Sequence, residues 1–273
     1  MLSKISSLPA LDRLIRPTIY YVTRIMRPVF DFGYSWIWTS GHLVPAALFG
    51  LLALTGWRLH WSRWKVFGCV VLAFWALAGY AIVHGWITSP QALPTERFFV
   101  NRDGKVLDIG AGSGRTTLMV LQARPKASVV ALDLFSGYYG IDGNSPERLK
   151  ANVRAAGMES RLEVQTGDMR KMPLADASVE GAVSSYAIDH LNRDGIAQAL
   201  RETRRVLKPG GEFLLMVINR DNWIRVAYPI FPHGYYSQSR PTFWNDAVKS
   251  AGLEVVEQGT SPGTLYVLAR KGE

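Results

Sequence analysis

Two acidic residues and three glycines near the middle of the chain have types and spacing suited to binding a ribose-containing ligand. Gly110, Gly112 and Gly114 alternate with small residues directly after Asp108-Ile109. Glycines at alternate positions let the backbone turn sharply and let a ligand approach the N-terminus of the next helix. Asp133 ends a second apolar run 23 residues after Gly110, where a carboxylate can hydrogen-bond a ribose diol.

The glycine spacing separates the two cofactors that fit a ribose-binding acid. A dinucleotide loop reads G-x-G-x-x-G, whereas here the order is Asp, then G-x-G-x-G. Three further motifs follow in order: Gly167-Asp168-Met169 after a third apolar run, Pro173-Leu174-Ala175-Asp176-Ala177-Ser178, and Arg205-Val206-Leu207-Lys208-Pro209-Gly210-Gly211. The spacing favours S-adenosylmethionine over a nicotinamide dinucleotide.

Taken together, VLDIGAGSG, VVALD, GDM, the P-L-x-D-x-S segment and RVLKPGGEF resemble the class I S-adenosylmethionine-dependent methyltransferases. The resemblance covers about residues 104–271. It implies a Rossmann-like, seven-stranded, mostly parallel sheet with an antiparallel last strand. It also assigns cofactor roles: Asp108, Gly110, Gly112 and Gly114 to the methionine part, Asp133 to the ribose, Leu134, Asp168 and Met169 to the adenine, Ser184 and Ser185 to the sulfonium region.

Methyl transfer is an in-line displacement, so the protein must mainly align the acceptor and exclude water. A general base helps when the acceptor loses a proton. His190 is the first candidate, because it lies just beyond the fourth strand and imidazole titrates near neutral pH. The other candidates are Asp189, Tyr186, Tyr138, Tyr139 and His233. We expect no metal site, because no cluster of histidines and carboxylates has ligand spacing, and we expect Cys69 to be a packing residue.

The elements that must position these residues alternate between strand and helix from residue 104 onward. Alternation of this kind predicts a parallel doubly wound α/β sheet. The connection of about five residues between the last two strands requires an antiparallel pair. The predicted strands are 105–109, 128–132, 162–165, 181–184, 212–218, 253–258 and 264–269, and the predicted helices are 115–123, 146–156, 195–207 and 242–251. Two irregular loops, 135–144 and 219–240, fall where such sheets bind ligands.

The first third of the chain has a different composition. The chain has 273 residues and a net charge of +9, of which residues 1–105, with 11 basic and 4 acidic side chains, hold +7. That segment also holds seven of the nine tryptophans. Residues 41–57 and 66–87 carry no formal charge, and tryptophans flank them as in the aromatic belts of membrane helices. The basic excess therefore indicates a membrane rather than nucleic acid.

We predict four segments. They are a basic amphipathic arm at 1–40, with a helix near 18–27, a transmembrane or re-entrant helical hairpin at 41–90, a linker at 91–103 and a methyltransferase domain at 104–273. Basic residues precede the hairpin and also occupy its connector, so spanning and re-entrant insertion both remain open. The donor is cytosolic, which predicts a membrane protein with a cytoplasmic catalytic domain. The expected partners are a small apolar acceptor, the bilayer through residues 1–90, and a second copy through the hairpin.

Two other functions remain open at this point. One is a nicotinamide-type nucleotide-binding oxidoreductase, which the glycine spacing disfavours. The other is a non-catalytic S-adenosylmethionine-binding membrane adaptor, whose expected mark, damage to the cofactor loop, is absent from the sequence. Nucleic-acid methylation is disfavoured, because residues 106–273 carry a net charge of only +2 and contain no N-P-P-Y motif.

Overall fold

Both apolar runs are helices in the computed structural model of the chain, which describes residues 29–136, 140–228 and 240–273. A short helix α1 (Trp36–Ser40) precedes α2 (Leu43–Arg58) and α3 (Arg63–Ile87). The four-residue connector makes α2 and α3 an antiparallel pair. The buried residues on their facing sides are mostly small and include Ala46, Ala53, Gly56 and Ala76. Small residues let the two backbones approach closely, as in membrane helix pairs.

The turn between α2 and α3 depends on Gly56. The Trp61 amide donates to the Gly56 carbonyl at 2.8 Å, which folds the tryptophan back over the end of α2. A Cβ at position 56 would lie 2.6 Å from the Trp61 ring. Glycine is therefore required here by close approach rather than by its φ angle.

The sheet has seven strands in the order β3-β2-β1-β4-β5-β7-β6. Strands β1 to β5 pair in parallel, and β7 pairs antiparallel with both β5 and β6. The predicted mixed sheet with its antiparallel final strand is confirmed. The strand bounds are β1 (Gly104–Ile109), β2 (Ala127–Asp133), β3 (Leu162–Thr166), β4 (Val179–Ser185), β5 (Leu207–Ile218), β6 (Glu254–Ser261) and β7 (Thr264–Arg270).

The strand order reverses direction at β1, whose neighbours are β2 and β4. Ligands of open α/β sheets bind outside the carboxyl ends of the strands at such a switch point. The helices that cover the sheet are α4 (Arg115–Ala123), α5 (Pro146–Ala155), α6 (Arg193–Val206), α7 (Asn222–Ala227) and α8 (Pro241–Ser250). The topology therefore directs attention to the loops that follow β1, β2 and β4.

One predicted boundary is wrong. The fifth strand is predicted to begin at residue 212, but β5 begins at Leu207 and includes residues 208–211. Gly210 has φ +68°, and its amide donates to the Lys271 carbonyl at 2.9 Å. Gly210 and Gly211 thus lie inside an irregular part of β5, although their residue types are typical of a loop.

The segment predicted as a linker, 91–103, packs against the sheet. Phe98 and Phe99 are fully buried. Arg124, at the end of α4, donates to the carbonyls of Phe98 at 2.6 Å and Glu96 at 2.8 Å. Residues 31–273 form one compact unit, so the hairpin shares a unit with the sheet. Residues 1–28, which include most of the predicted basic arm, lie outside the described residues.

Candidate active site

A cavity of about 490 Å³ lies at the carboxyl edge of the sheet, beside the switch point. It brings together residues from the loops after β1, β2, β3 and β4 and residues from the N-terminal helices. The predicted site residues that line it are Gly110, Gly112, Asp133, Leu134, Asp168, Met169, Ser185, Tyr186 and His190. The cavity has the size of a small-molecule site.

The loop between β1 and α4 forms the floor of the cavity. The amides of Gly110 and Ala111 both donate to the Leu132 carbonyl, at 2.8 and 3.1 Å, and so join this loop to β2. Gly110 has φ +73°, and an added Cβ would clash with the Ala187 side chain. The backbone is thus held open toward the cavity in a conformation that only glycine adopts easily. Gly114 ends the loop as the N-cap of α4 but does not line the cavity.

Asp108 lies buried beneath this loop rather than on the cavity wall. Its Oδ2 accepts a hydrogen bond from Thr117 Oγ1 at 2.6 Å, whereas Oδ1 has no hydrogen-bond partner. Burial raises the pKa of Asp108 to about 7, against the lowering effect of the Thr117 bond and with a smaller increase from Asp133. A buried carboxyl oxygen that accepts no hydrogen bond is unusual in proteins. Asp108 Oδ1 can therefore accept a hydrogen bond from a cationic group of a ligand.

Asp133 connects two loops at the cavity wall. Its Oδ2 accepts from the Gly112 amide at 2.9 Å, and its Oδ1 accepts from the Phe135 amide at 2.7 Å and from Asn144 Nδ2 at 3.1 Å. Each carboxylate oxygen has two lone pairs, so Oδ2 can accept one further hydrogen bond from a diol hydroxyl. Leu134, directly after it, is an exposed apolar side chain at the cavity edge.

Asp168 and Met169 follow β3 at the other side of the same cavity. Arg170 binds the Asp168 carboxylate through Nε at 3.0 Å and Nη2 at 2.6 Å. These hydrogen bonds hold the pKa of Asp168 below its usual value. The carboxylate is therefore ionised and fixed in position, as a group that accepts a hydrogen bond from an adenine amine must be.

The end of β4 differs from the expectation. Ser184 is fully buried, donates from Oγ to the Ile109 carbonyl at 2.9 Å and does not line the cavity. Its expected place near the sulfonium is therefore not where the structure has it, because strand alternation directs Ser184 and Ser185 to opposite sides. Ser185, which was assigned to the same region, and the candidate base Tyr186 do line the cavity. Tyr186 has φ +51° and bonds Thr264 Oγ1 through its hydroxyl, and burial raises the pKa of the phenol to about 12.

His190 lines the cavity at the end of a short 3₁₀ turn, Ile188–His190. Asp189 lies behind it, buried, with Oδ2 accepting from the Ile218 amide at 3.2 Å and Oδ1 without a hydrogen-bond partner. Burial raises the pKa of Asp189, and the His190 charge opposes that increase. The His190 side chain can therefore reach a ligand in the cavity, whereas Asp189 does not line the cavity. Tyr138, Tyr139 and His233, the other candidate bases, lie outside the described residues.

The sequence reasoning missed the wall that the N-terminal helices supply. Phe32, Tyr34, Trp38, Trp86 and Ile87 all line the cavity. The tryptophans were interpreted only as an aromatic belt, because nothing in one sequence shows which end of an apolar helix touches another domain. Trp38 and Trp86 lie at the outer ends of the two apolar runs. That position was the only sign in the sequence that these tryptophans could contact the α/β domain.

Three contacts hold this wall in place. The Trp86 ring lies 4.9 Å from that of Trp223, and the Trp38 ring lies 5.8 Å from that of Tyr228. The segment before α1 forms a β-bridge between Tyr34 and Ile141. The wall is therefore attached both to the loop after β2 and to the region after β5.

Asn152 of α5 links the same segment to the glycine loop. Its Nδ2 donates to the carbonyls of Asp31 and Ser113, each at 2.8 Å, and its Oδ1 accepts from the Asp31 amide at 2.9 Å. The side chain is almost fully buried, so these three bonds have no competition from water.

Comparison with known proteins agrees with this geometry. Residues 106–211 match a family model described as a methyltransferase domain. A solved protein from Methanococcus maripaludis assigned as an S-adenosyl-L-methionine-dependent methyltransferase superposes with a TM-score of 0.51 at 21% identity, covering 65% of this chain and 81% of that one. The [4+2]-cyclase SpnF superposes over 65% of this chain and 78% of its own with a TM-score of 0.50 at 16% identity. Such distant structures show the fold alone.

Residues 106–211 thus match a methyltransferase domain, and the seven-stranded sheet of residues 104–270 has the class I, Rossmann-like methyltransferase fold. The ubiquinone/menaquinone biosynthesis C-methyltransferase UbiE of Rubrivivax gelatinosus is 31% identical over 127 residues, 46% of this chain and 44% of that protein. The 24-methylenesterol C-methyltransferase 2 of Oryza sativa is 34% identical over 110 residues, 40% of this chain and 28% of that protein. The chain therefore spans less than half the length of these curated relatives.

The residues present fit S-adenosylmethionine. The open glycine loop can receive the methionine part, and the unpartnered Asp108 Oδ1 offers an acceptor beneath it. Asp133 and Asp168 offer fixed carboxylates for the ribose and the adenine. Within the described residues no group of three or more His, Cys, Asp or Glu could hold a metal ion.

Proposed function

We propose that this chain is a membrane-anchored methyltransferase that transfers the methyl group of S-adenosylmethionine to a small, apolar acceptor. One observation carries the proposal: a single cavity is lined by the glycine loop and Asp133 and also by Trp38 of α1 and Trp86 of the apolar hairpin. A cofactor site and the end of a membrane-type element thus share one cavity.

A few residues of the cavity carry out the steps of methyl transfer. S-adenosylmethionine supplies an activated methyl group on a sulfonium, so no metal or covalent catalysis is needed. The glycine loop, Asp133 and Asp168 hold the donor, and the aromatic wall excludes water and aligns the acceptor. His190 takes the proton that the acceptor loses, with Asp189 behind it stabilising the imidazolium. Tyr186 stays protonated because its pKa is near 12, so it positions by hydrogen bonding rather than by accepting a proton.

The acceptor class follows from the apolar part of the cavity wall. Its side chains are aromatic or aliphatic, among them Phe32, Trp38, Trp86, Ile218 and Ile224. An apolar acceptor is stabilised there by burial of its surface, at about 25 cal/mol per Å². The two curated relatives are named for methylating carbon in quinone and sterol compounds, which supports an apolar ring compound methylated at carbon.

The membrane part of the proposal depends on α2 and α3. The 25-residue α3 has a mean hydropathy of 2.3 over its most apolar window, of which 11% is buried, and meets the length and composition criteria for a membrane span. At 1.5 Å per residue α3 extends about 37 Å, which exceeds the roughly 30 Å of a bilayer core. Large apolar side chains cover its outer surface, including Phe67, Phe74, Trp75, Leu77 and Ile82.

The position of the catalytic domain determines how deeply the hairpin can insert into the bilayer. The Ile87 end of α3 touches the domain, whereas Trp57, Arg58, Arg63 and Lys65 mark the opposite end. Because a water-soluble sheet stays outside the bilayer, the Ile87 end lies at the interface on its side. We place the domain in the cytoplasm, where the donor is made, with the basic tip at the far interface. A second copy could pair through the exposed hairpin faces.

Two measurements test the proposal with the full chain in detergent micelles. Calorimetry should detect binding of S-adenosylhomocysteine. Incubation with methyl-labelled donor and a lipid extract of native membranes should label a small lipid-soluble compound. Absence of binding would overturn the cofactor assignment, and label found only in water-soluble products or nucleic acid would overturn the acceptor class.

Membrane insertion has its own test. Phe74→Arg places a charge at the middle of α3, where insertion of an arginine costs about 2.5–3.5 kcal/mol. The matched control, Val100→Arg, alters an exposed apolar residue outside the hairpin. We expect the wild type and Val100→Arg to remain with membranes after an alkaline carbonate wash and Phe74→Arg to be released. A wild-type chain that appears in the soluble fraction contradicts membrane anchoring.

A further inference from the structure

Arg115 is a buried cation whose charge no acidic residue of the described chain balances. It is the first residue of α4, directly after the glycine loop, and is 7% exposed. Its Nε donates to the Ser89 carbonyl at 3.1 Å and its Nη2 to the Trp86 carbonyl at 2.7 Å. Both partners are neutral. Among the described residues, no ion pair includes Arg115.

The sequence shows why a partner is missing. Residues 32–95, which supply the segment that covers Arg115, contain no aspartate or glutamate. Burying a guanidinium without an anion is costly, and two carbonyl bonds satisfy only two of its five N–H donors. An arginine kept in such a place points to an anion that arrives with a ligand.

The cavity offers that anion a place. Arg115 lines it beside Gly110, Gly112 and Ser113. The donor carries a carboxylate on its methionine part, which is the part that the glycine loop holds. The N-terminus of the nine-residue α4 lies at the same point and adds a partial positive charge.

We propose that Arg115 binds the carboxylate of the donor's methionine part and, through its bonds to Trp86 and Ser89, makes the base of the hairpin part of the donor site. The inference rests on the proposed function, because it presumes that S-adenosylmethionine occupies this cavity. The Nη1 group, which donates no hydrogen bond to the described residues, is the donor left for the carboxylate. The Trp86 ring, 4.9 Å from the guanidinium carbon, keeps the charge in place by a cation–π contact.

The test compares two ligands that differ by one group. Calorimetry of the full chain in micelles is carried out with S-adenosylhomocysteine and with its decarboxylated analogue, which keeps the nucleoside, the thioether and the amine. Charge-assisted hydrogen bonds predict that the wild type prefers the carboxylated ligand by about 10- to 100-fold. Arg115→Met should remove that preference while it leaves the affinity for the decarboxylated analogue near the wild-type value. Arg115→Lys should restore part of the preference.

Arg124→Met is the matched control. Arg124 caps the other end of α4 and also donates to carbonyls of the preceding segment, at Phe98 and Glu96, but it does not line the cavity. This variant should lose stability in thermal unfolding and keep the full preference for the carboxylated ligand. A preference retained in Arg115→Met, or lost equally in Arg124→Met, overturns the inference. Failure of the wild type to bind either ligand would instead overturn the proposed function.

Discussion

The indole ring of Trp86, near the end of an apolar helix, lies 4.9 Å from the guanidinium carbon of Arg115, the first residue after the glycine loop. The same ring lies 6.3 Å from that of Tyr186 at the end of β4. One hairpin residue thus touches both loops that border the expected donor site. The hairpin therefore contributes directly to the wall of the site.

Replacing Trp86 tests whether the hairpin contributes to donor binding. Trp86→Leu removes the cation–π contact and part of the wall, so we expect S-adenosylhomocysteine to bind about 3- to 30-fold more weakly. Trp75→Leu is the control, because Trp75 lies on the same helix, is 42% exposed and does not line the cavity. Calorimetry that finds equal dissociation constants for the two variants would show that the wall does not contribute to donor binding.

Asp133 should be the most sensitive single position for the cofactor. Asp133→Ala removes the acceptor for the Gly112 and Phe135 amides and the proposed ribose partner. We expect a loss of at least about 100-fold in S-adenosylhomocysteine affinity, since charge-assisted hydrogen bonds contribute about 1.5–3 kcal/mol each. Asp142→Ala, on the neighbouring loop and outside the cavity lining, should keep normal affinity. The reverse ranking of the two variants would refute the ribose assignment.

Asp108 predicts a pH dependence of stability. Its pKa is raised from 3.8 to about 7 by burial, so between those values the folded state holds a proton that the unfolded state has lost. Stability from this group therefore falls as pH rises from about 4 to about 7, by at most about 4 kcal/mol. Asp108→Asn keeps an acceptor for Thr117 and should be more stable than wild type at pH 8 but not at pH 4.

Denaturant unfolding at both pH values checks this expectation. Asp103→Asn, which changes a carboxyl that is 72% exposed, should show no comparable gain at pH 8. The cationic amine of the ligand should favour the ionised form of Asp108, so ligand stabilisation of the wild type should increase with pH. Equal free energies of unfolding for the wild type and Asp108→Asn at pH 8 would show that ionisation of the buried carboxyl does not destabilise the folded state.

Asn152 should be important for stability despite its distance from the hairpin helices. Asn152→Ala leaves the Ser113 carbonyl and both Asp31 backbone groups without this partner. We expect a loss of about 2–3 kcal/mol in the free energy of unfolding, because buried unsatisfied polar groups cost about 1–3 kcal/mol each. Thermal unfolding should separate it from Asn222→Ala, an exposed position at the start of α7. Similar melting of the two variants argues against the network.

Deletion of residues 1–90 should weaken ligand binding by the remaining fragment. A charge-based division of the chain predicts a self-sufficient fragment from residue 91 onward. In the structure, that deletion removes Trp38, Trp86 and both carbonyl partners of Arg115. We expect the fragment to bind S-adenosylhomocysteine at least about 10-fold more weakly than the full chain. Unchanged affinity in calorimetry would restore the independent-domain interpretation.

The sequence by itself determined the sheet and the loops expected to bind the donor, because those signals are local. Strand patterning located every strand of the sheet, and the glycine spacing with Asp108 and Asp133 located the loops after β1 and β2. Positive φ at Gly110 and a carboxylate at a strand end are properties of short segments, so residue type and spacing report them directly.

Only the tertiary structure decided which side chains meet across long separations. It buried Ser184 and brought Ser185 and Tyr186 to the cavity, because strand alternation and twist set which side each residue faces. It also placed Trp86 on Arg115, 29 residues apart, where composition predicted only lipid contact. Apolar periodicity shows that a helix face is buried but not what buries it, so the hairpin's part in the site could not be deduced from the chain alone.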